Sequence, residues 1–321
     1  MSSFSRRQFL QTTGSTLSLA ALAGMSLRCG GNPPDQAAAG MAPARFNFSM
    51  CNECMQELPW VEQCRIMSDA GYTGVEVAAF TLVKESVNEL GPIQRQELVR
   101  TMGDFGLECV GLHWLLAPPP QGLHFTTPDP VVRASTVQYL ADLVDFCADL
   151  GGKVMIFGSP KQRNAVGIPV DEAKKYFAEG LALVADHAGE RGVKILVETL
   201  DSSQTDVVNT MAESVEIVRT VNHPAIGTMF DYHNTLDETD SFETLIRRYF
   251  DQIDHIQIQE MDGRHLGTGD ARTTYVDSFR ALRELGYSGW ISLEIFDFTP
   301  GGVVIAEESM AVLRALEAAS V

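Results

Sequence analysis

The chain has 321 residues, 45% of them hydrophobic, and a formal charge of -18. That length supports a large core, and a single α/β barrel takes about 250 residues. So acidic a balance argues against nucleic-acid binding, which needs cationic side chains to displace counterions from phosphates.

The first segment reads as a targeting sequence and is set apart from the fold. Ser5-Arg6-Arg7-Gln8-Phe9-Leu10 resembles a twin-arginine export motif. The uncharged stretch from Gln11 to Leu27 is rich in Leu, Ala and Gly, but too short and too weakly apolar for a membrane span. Asn32 to Met41 is Pro/Ala/Gly-rich and reads as a tether. Residues 1–44 are therefore expected to be export signal and tether, residues 45–321 the working domain, and the location periplasmic. Cys29 stands where a lipid anchor would attach, although Arg28 occupies the preceding site, where a small residue is expected. Ala37-Ala38-Ala39 and Ala42-Pro43-Ala44 are alternative sites of cleavage.

Beyond the tether, short apolar runs alternate with amphipathic stretches. The runs predict strands at Phe46–Met50, Gly74–Ala78, Glu108–His113, Lys153–Phe157, Val193–Glu198, Ala225–Phe230, Ile253–Gln259 and Trp290–Ile295. Short, mostly apolar runs suit strands buried on both faces. Helices are predicted from Leu58 to Ala70, Pro130 to Leu150, Val170 to Arg191, Thr274 to Leu285 and about Val304 to Ala318. Gly71, Gly151, Gly192 and Gly286 follow the first four as stop signals. Strict alternation implies a (β/α)8 TIM barrel. A doubly wound sheet would want a Gly-rich phosphate loop after the first strand, and none is present.

The connection from Trp114 to Asp129 is long, holds Pro118-Pro119-Pro120, and follows strand three on the expected catalytic face. Loops of that length there serve as lids or substrate walls. Cys51 and Cys54 have the spacing of a metal or redox pair, but no matching Cys or His pair accompanies them.

Active sites of such barrels form at the C-terminal ends of the strands. Strand five ends in Glu198, strand six in Asp231 followed by His233, and strand eight in Glu294. Three carboxylates converging on one mouth call for a divalent cation with oxygen ligands. Strand seven carries His255, Gln257 and Gln259 on one face, and alternation alone does not choose among them. His113 and Trp114 end strand three and are candidates to wall a substrate pocket; Glu76 in strand two is a further candidate, with Asn52 and Glu53 behind it.

These segments resemble the sugar phosphate isomerase/epimerase superfamily, with its xylose isomerase-like TIM barrel. Glu198 in Val-Glu-Thr-Leu, Asp231 in Phe-Asp-Tyr-His and Glu294 in Ser-Leu-Glu-Ile-Phe match three of the family's four metal ligands. Gln257 in His-Ile-Gln-Ile matches the remaining one and is similar to the hydroxypyruvate isomerase branch, as is the segment around Arg264. The chain departs from that pattern twice. His233 lies two residues after Asp231 rather than three, and the segment after Arg264 lacks a proline.

The resemblance implies one divalent metal (Mn, Mg or Co) held by Glu198, Asp231, Gln257 and Glu294. It implies Glu198 and Glu294 as acid/base pair, with His233, Arg264, His113, Trp114 and Glu76 toward substrate. The implied reaction is proton transfer beside a carbonyl, as in sugar isomerases and epimerases, through an enediolate. The expected partner is a small sugar or keto-sugar, with self-association into a homo-oligomer left open. A metal-dependent dehydratase or β-eliminating lyase on keto-sugars or 3-keto-glycosides would use the same residues. A phosphodiesterase of the endonuclease IV type would need more histidine ligands, and a sugar-binding barrel would not need both glutamates.

Overall fold

The structure is a computed structural model that describes residues 45–321. The export-signal reading and Cys29 lie outside the described residues. Eight parallel strands close in sequence order into a barrel: β1 (Asn47–Cys51), β2 (Gly74–Ala78), β3 (Glu108–His113), β4 (Val154–Phe157), β5 (Lys194–Val197), β6 (Ile226–Asp231), β7 (Ile253–Ile258) and β8 (Trp290–Leu293). Closure through the β1–β8 pair, with Asn47 opposite Trp290, rules out the open sheet. The strands are almost wholly buried, which is why they read as unbroken apolar runs rather than alternating ones.

The helices end where the glycines predicted. Trp60–Ala70, Pro130–Leu150 and Val170–Arg191 stop at Gly71, Gly151 and Gly192, each in the left-handed region with φ of 98°, 89° and 69°. The helix expected from Thr274 instead runs Val276–Glu284, after a separate turn at Ala271–Thr274.

Alternation along the strands sorts side chains into two cores. Phe157, Val197 and Phe230 face outward into the layer packed under the helices. Ile156, Leu196 and Met229 form a separate apolar cluster with Val154. Those three have the inward parity, so Glu198 and Asp231, two residues farther along, point into the barrel mouth. Between β3 and β4 the backbones come so close that a Cβ on Gly111 would lie 2.0 Å from the Val154 carbonyl oxygen.

Candidate active site at the barrel mouth

Glu198 and Glu294 lie one residue past β5 and β8, and Asp231 is the last residue of β6. One oxygen from each of the three lies within 4.8 Å of the others. All three residues are buried, at 6%, 4% and 4% exposure. Burial pushes each carboxyl well above the ordinary carboxylate range, and mutual repulsion adds to it. Asp231 acts on Glu198, Glu294 on Asp231, and Glu198 on Glu294. Buried like charges are costly unless compensated. A hard divalent cation with oxygen ligands is the fitting compensation.

The surrounding donors orient these acids. The Asn234 amide donates to Glu198 Oε1 at 2.8 Å and to Asp231 Oδ2 at 2.6 Å. The His233 backbone N–H donates to Asp231 Oδ1 at 2.9 Å. Trp114 Nε1 donates to Glu294 Oε1 at 2.6 Å. Trp114 adopts φ of 52°, in the left-handed region. That conformation costs about 1–3 kcal/mol in a non-glycine residue and persists where the surroundings fix it. Gly158 leaves room for Glu198, since a Cβ there would sit 2.2 Å from Glu198 Oε2.

Arg163 is fully buried and pins the ends of the neighbouring strands. Its guanidinium donates to the carbonyls of Phe157 at 2.9 Å, Glu198 at 2.8 Å and Val208 at 3.4 Å. Burial lowers its pKa to about 10, while the nearby Glu198 carboxylate works in the opposite direction.

Beneath the triad lies a second polar layer. His113 Nε2 meets Glu53 Oε2 at 2.7 Å, and its Nδ1 lies 3.4 Å from Glu76 Oε1. His255 Nε2 meets Glu76 Oε2 at 2.7 Å. Burial alone would raise the Glu76 carboxyl, but His255 and His113 together pull it down to about 2. Burial alone would lower the His113 ring, but Glu53 and Glu76 lift it to about 9. Gln257 donates to Glu76 Oε1 at 2.6 Å, which leaves its own buried Oε1 without a partner. Gln259 is also fully buried; its amide lies close enough to Asp231 to pull that carboxyl down, although among the described residues neither end makes a well-aligned hydrogen bond.

Above the triad opens a cavity of about 350 Å³. Glu198 and Glu294 lie at its base, with Trp114, Pro118, Leu200, His233 and Phe296 among its walls. The Trp114 ring lies 5.8 Å from the Phe80 ring and 6.3 Å from that of Phe296. Aromatic faces beside a few polar groups suit the C–H faces and hydroxyls of a sugar. A groove of about 460 Å³ between helices Val170–Arg191 and Met211–Val221 holds none of the strand-end carboxylates.

The structure thus gathers Glu198, Asp231 and Glu294 at one point and puts Trp114 and His233 in the cavity wall. His113 and Glu76 are buried, at 1% and 0% exposure, in the layer below. Arg264 is absent from the cavity lining. Its side chain is 44% exposed and pairs with Asp262 at 2.7 Å. Cys51 and Cys54 are both free. The long loop after β3 delivers Trp114, Ala117 and Pro118 to the wall, as its length predicts. Sequence reasoning missed Asn234 and Arg163. Arg163 ends a single-turn helix, Pro160–Arg163, that carries no motif, and Asn234 is an amide beside His233 with no signal of its own.

Comparison with known proteins agrees with the barrel fold. Residues 64–316 match the family model of the xylose isomerase-like TIM barrel. A D-psicose 3-epimerase of Agrobacterium fabrum is 26% identical, over 76% of this chain and 81% of its own. A putative hydroxypyruvate isomerase of Danio rerio is 27% identical, over 79% of this chain and 90% of its own. The crystal structure of a D-psicose 3-epimerase in the presence of D-fructose superposes with a TM-score of 0.73 at 19% identity, covering 84% of this chain and 97% of that one. The matched residues span nearly the whole barrel, and the chain belongs to the xylose isomerase-like TIM barrel family, within the sugar phosphate isomerase/epimerase superfamily.

Proposed function

We propose that this protein is a divalent-metal-dependent sugar isomerase or epimerase acting on a ketose or keto-sugar. The observation that carries the reading is the meeting of Glu198, Asp231 and Glu294 within 4.8 Å, buried beneath an aromatic-walled cavity. These three would hold the cation. The unpartnered Oε1 of Gln257 supports that residue as the neutral fourth donor. When bound, a divalent cation polarises a carbonyl and offsets the negative charge that develops on its oxygen.

The chain's own residues then move the proton. Glu198 and Glu294 follow strands separated by β6 and β7, so they address the substrate from different sides. One carboxylate removes the proton from the carbon beside the carbonyl, and the C–H electron pair moves into an enediolate. The other glutamate returns a proton. Delivery to the opposite face of the same carbon inverts it; delivery to the neighbouring carbon isomerises the sugar. His233 gives its Nδ1–H to the Met261 carbonyl at 2.9 Å, which orients Nε2 to accept from a substrate hydroxyl. The Trp114 and Phe296 rings pack on the sugar and exclude water. The export-signal reading of residues 1–44 adds that the substrate is met outside the cytoplasm.

The test is metal analysis joined to solvent exchange. The protein, loaded with Mn, is mixed in heavy water with a panel of ketoses and 3-keto-glycosides. Deuterium entering beside the carbonyl, and falling by about 10³-fold in Glu294→Gln, is the expected outcome. An unsaturated product in place of exchange would assign a β-eliminating lyase instead. No metal bound and no exchange with any sugar would refute the enzyme reading.

A further inference from the structure

Asn234 occupies a position that the acid/base scheme leaves unused. It is 2% exposed, and its single amide nitrogen spends both hydrogens on the carboxylates of Glu198 and Asp231, at 2.8 Å and 2.6 Å. A chain of contacts settles which end of the amide faces them. Asn234 Oδ1 accepts from Gln204 Nε2 at 2.7 Å, so the NH2 end must point at the acids. Gln204 Nε2 also donates to Asp201 Oδ2, and the other carboxylate oxygen of Asp201 accepts from the Ser203 backbone N–H at 2.8 Å. Asp201 is itself buried, at 3% exposure. Five side chains, from the end of β6 and the segments after β5 and β6, therefore converge on one geometry, in the order Asp201, Gln204, Asn234, and then the Glu198–Asp231 pair.

The chemistry of the donor matters as much as its place. A lysine or arginine between two buried acids would neutralise them and compete with a cation. The asparagine amide is neutral and donor-only at this end, so it fixes the carboxylates while leaving their charge for a metal. One oxygen of Glu198 is anchored and the other stays available.

We infer that Asn234, oriented by Gln204 and Asp201, is the positioning residue of the metal site, setting the spacing of Glu198 and Asp231 before a cation arrives. This rests on the metal-site reading above. Removing an outer partner of a metal ligand typically lowers metal affinity about 10–100-fold, and that is the loss expected here.

The experiment is calorimetric titration of metal-free protein with Mn2+ for the wild type, Asn234→Ala and Gln204→Leu. Turnover of the ketose found active with the wild type is then measured at saturating Mn2+. The expected result is a Kd for Mn2+ raised about 10–100-fold in Asn234→Ala. Gln204→Leu should raise it less, in the same direction, and the substrate KM should stay near wild type once metal saturates. If Asn234→Ala does not fold, Gln204→Leu carries the test alone. Unchanged or tighter Mn2+ binding in the variants that fold would overturn the inference, as would a defect confined to KM at saturating metal. A wild type that binds no Mn2+ would remove the metal-site reading itself, whereas a binding wild type with unaffected variants removes only the role of Asn234.

Discussion

The two polar layers of the barrel differ in how their charge is balanced. In the lower layer, acids and bases alternate: Glu53 with His113, His113 with Glu76, and Glu76 with His255. Each charge has an opposite neighbour. That is why Glu76 is pulled down to about 2 and His113 lifted to about 9 in spite of full burial. At the mouth, Glu198, Asp231 and Glu294 have one another and neutral donors; Arg163 acts on Glu198 and His113 on Glu294, but the Arg163 guanidinium is committed to carbonyl oxygens and His113 to Glu53. All three are pushed up instead of down. The lower layer balances its charge within the chain, whereas on the proposed reading the mouth does so only with a cation from outside.

The contrast breaks most sharply by removing a base from below. His255→Leu leaves Glu76 without its nearest basic partner at full burial. Stranding one member of a buried ion pair costs about 3–5 kcal/mol. Chemical denaturation should show that loss equally with and without Mn2+. A loss that vanished on metal addition would merge the two layers into one site.

The next effect comes from pH. The triad carboxyls are raised above their unfolded values. For such groups, the stability that goes with protonation is fully present below the unfolded pKa of about 4 and is lost as pH rises through the folded values. Metal-free protein should therefore lose thermal stability as pH rises above about 4. Metal ligation needs the deprotonated forms, so Mn2+ should restore more at pH 8 than at pH 5. The gain should reach about 2.7 kcal/mol at a hundredfold excess over Kd. His113 contributes a second decline. Its folded pKa of about 9 exceeds the ordinary value, so its stabilisation is whole below about 6.5 and is lost as pH climbs through 9. A melting temperature flat across this range, with and without metal, would contradict the contrast drawn here.

The smallest effect sharpens the picture of the mouth. Trp114→Phe keeps an aromatic wall but deletes the Nε1 donor to Glu294. One hydrogen bond to a charged group contributes about 1.5–3 kcal/mol, so kcat should fall at least about tenfold with little change in KM. A change in KM alone would make Trp114 a wall and nothing more.

Much of this was legible before the structure. Burial of strands on both faces leaves an apolar run, and a left-handed helix stop favours glycine; both are local consequences of backbone geometry. They gave the barrel, its strand order and the ends at Gly71, Gly151 and Gly192. Two-residue alternation aimed Glu198 and Asp231 at the same mouth as soon as β5 and β6 were placed. The sequence therefore determined the architecture and the acidic ring.

What tertiary structure alone decided is which residue meets which. His255 and Glu76 are 179 positions apart, and Trp114 and Glu294 are 180. No periodicity links such pairs; closure of the barrel does. Alternation placed His255, Gln257 and Gln259 on one face, but only packing paired the first two with Glu76 and set Gln259 beside Asp231. Arg264 reads as well as His233 in the sequence, yet loop geometry turns one outward to Asp262 and the other into the cavity. Patterns along a chain report on backbone and burial, which are local. The pairing of charges depends on distance in space, and folding sets that distance.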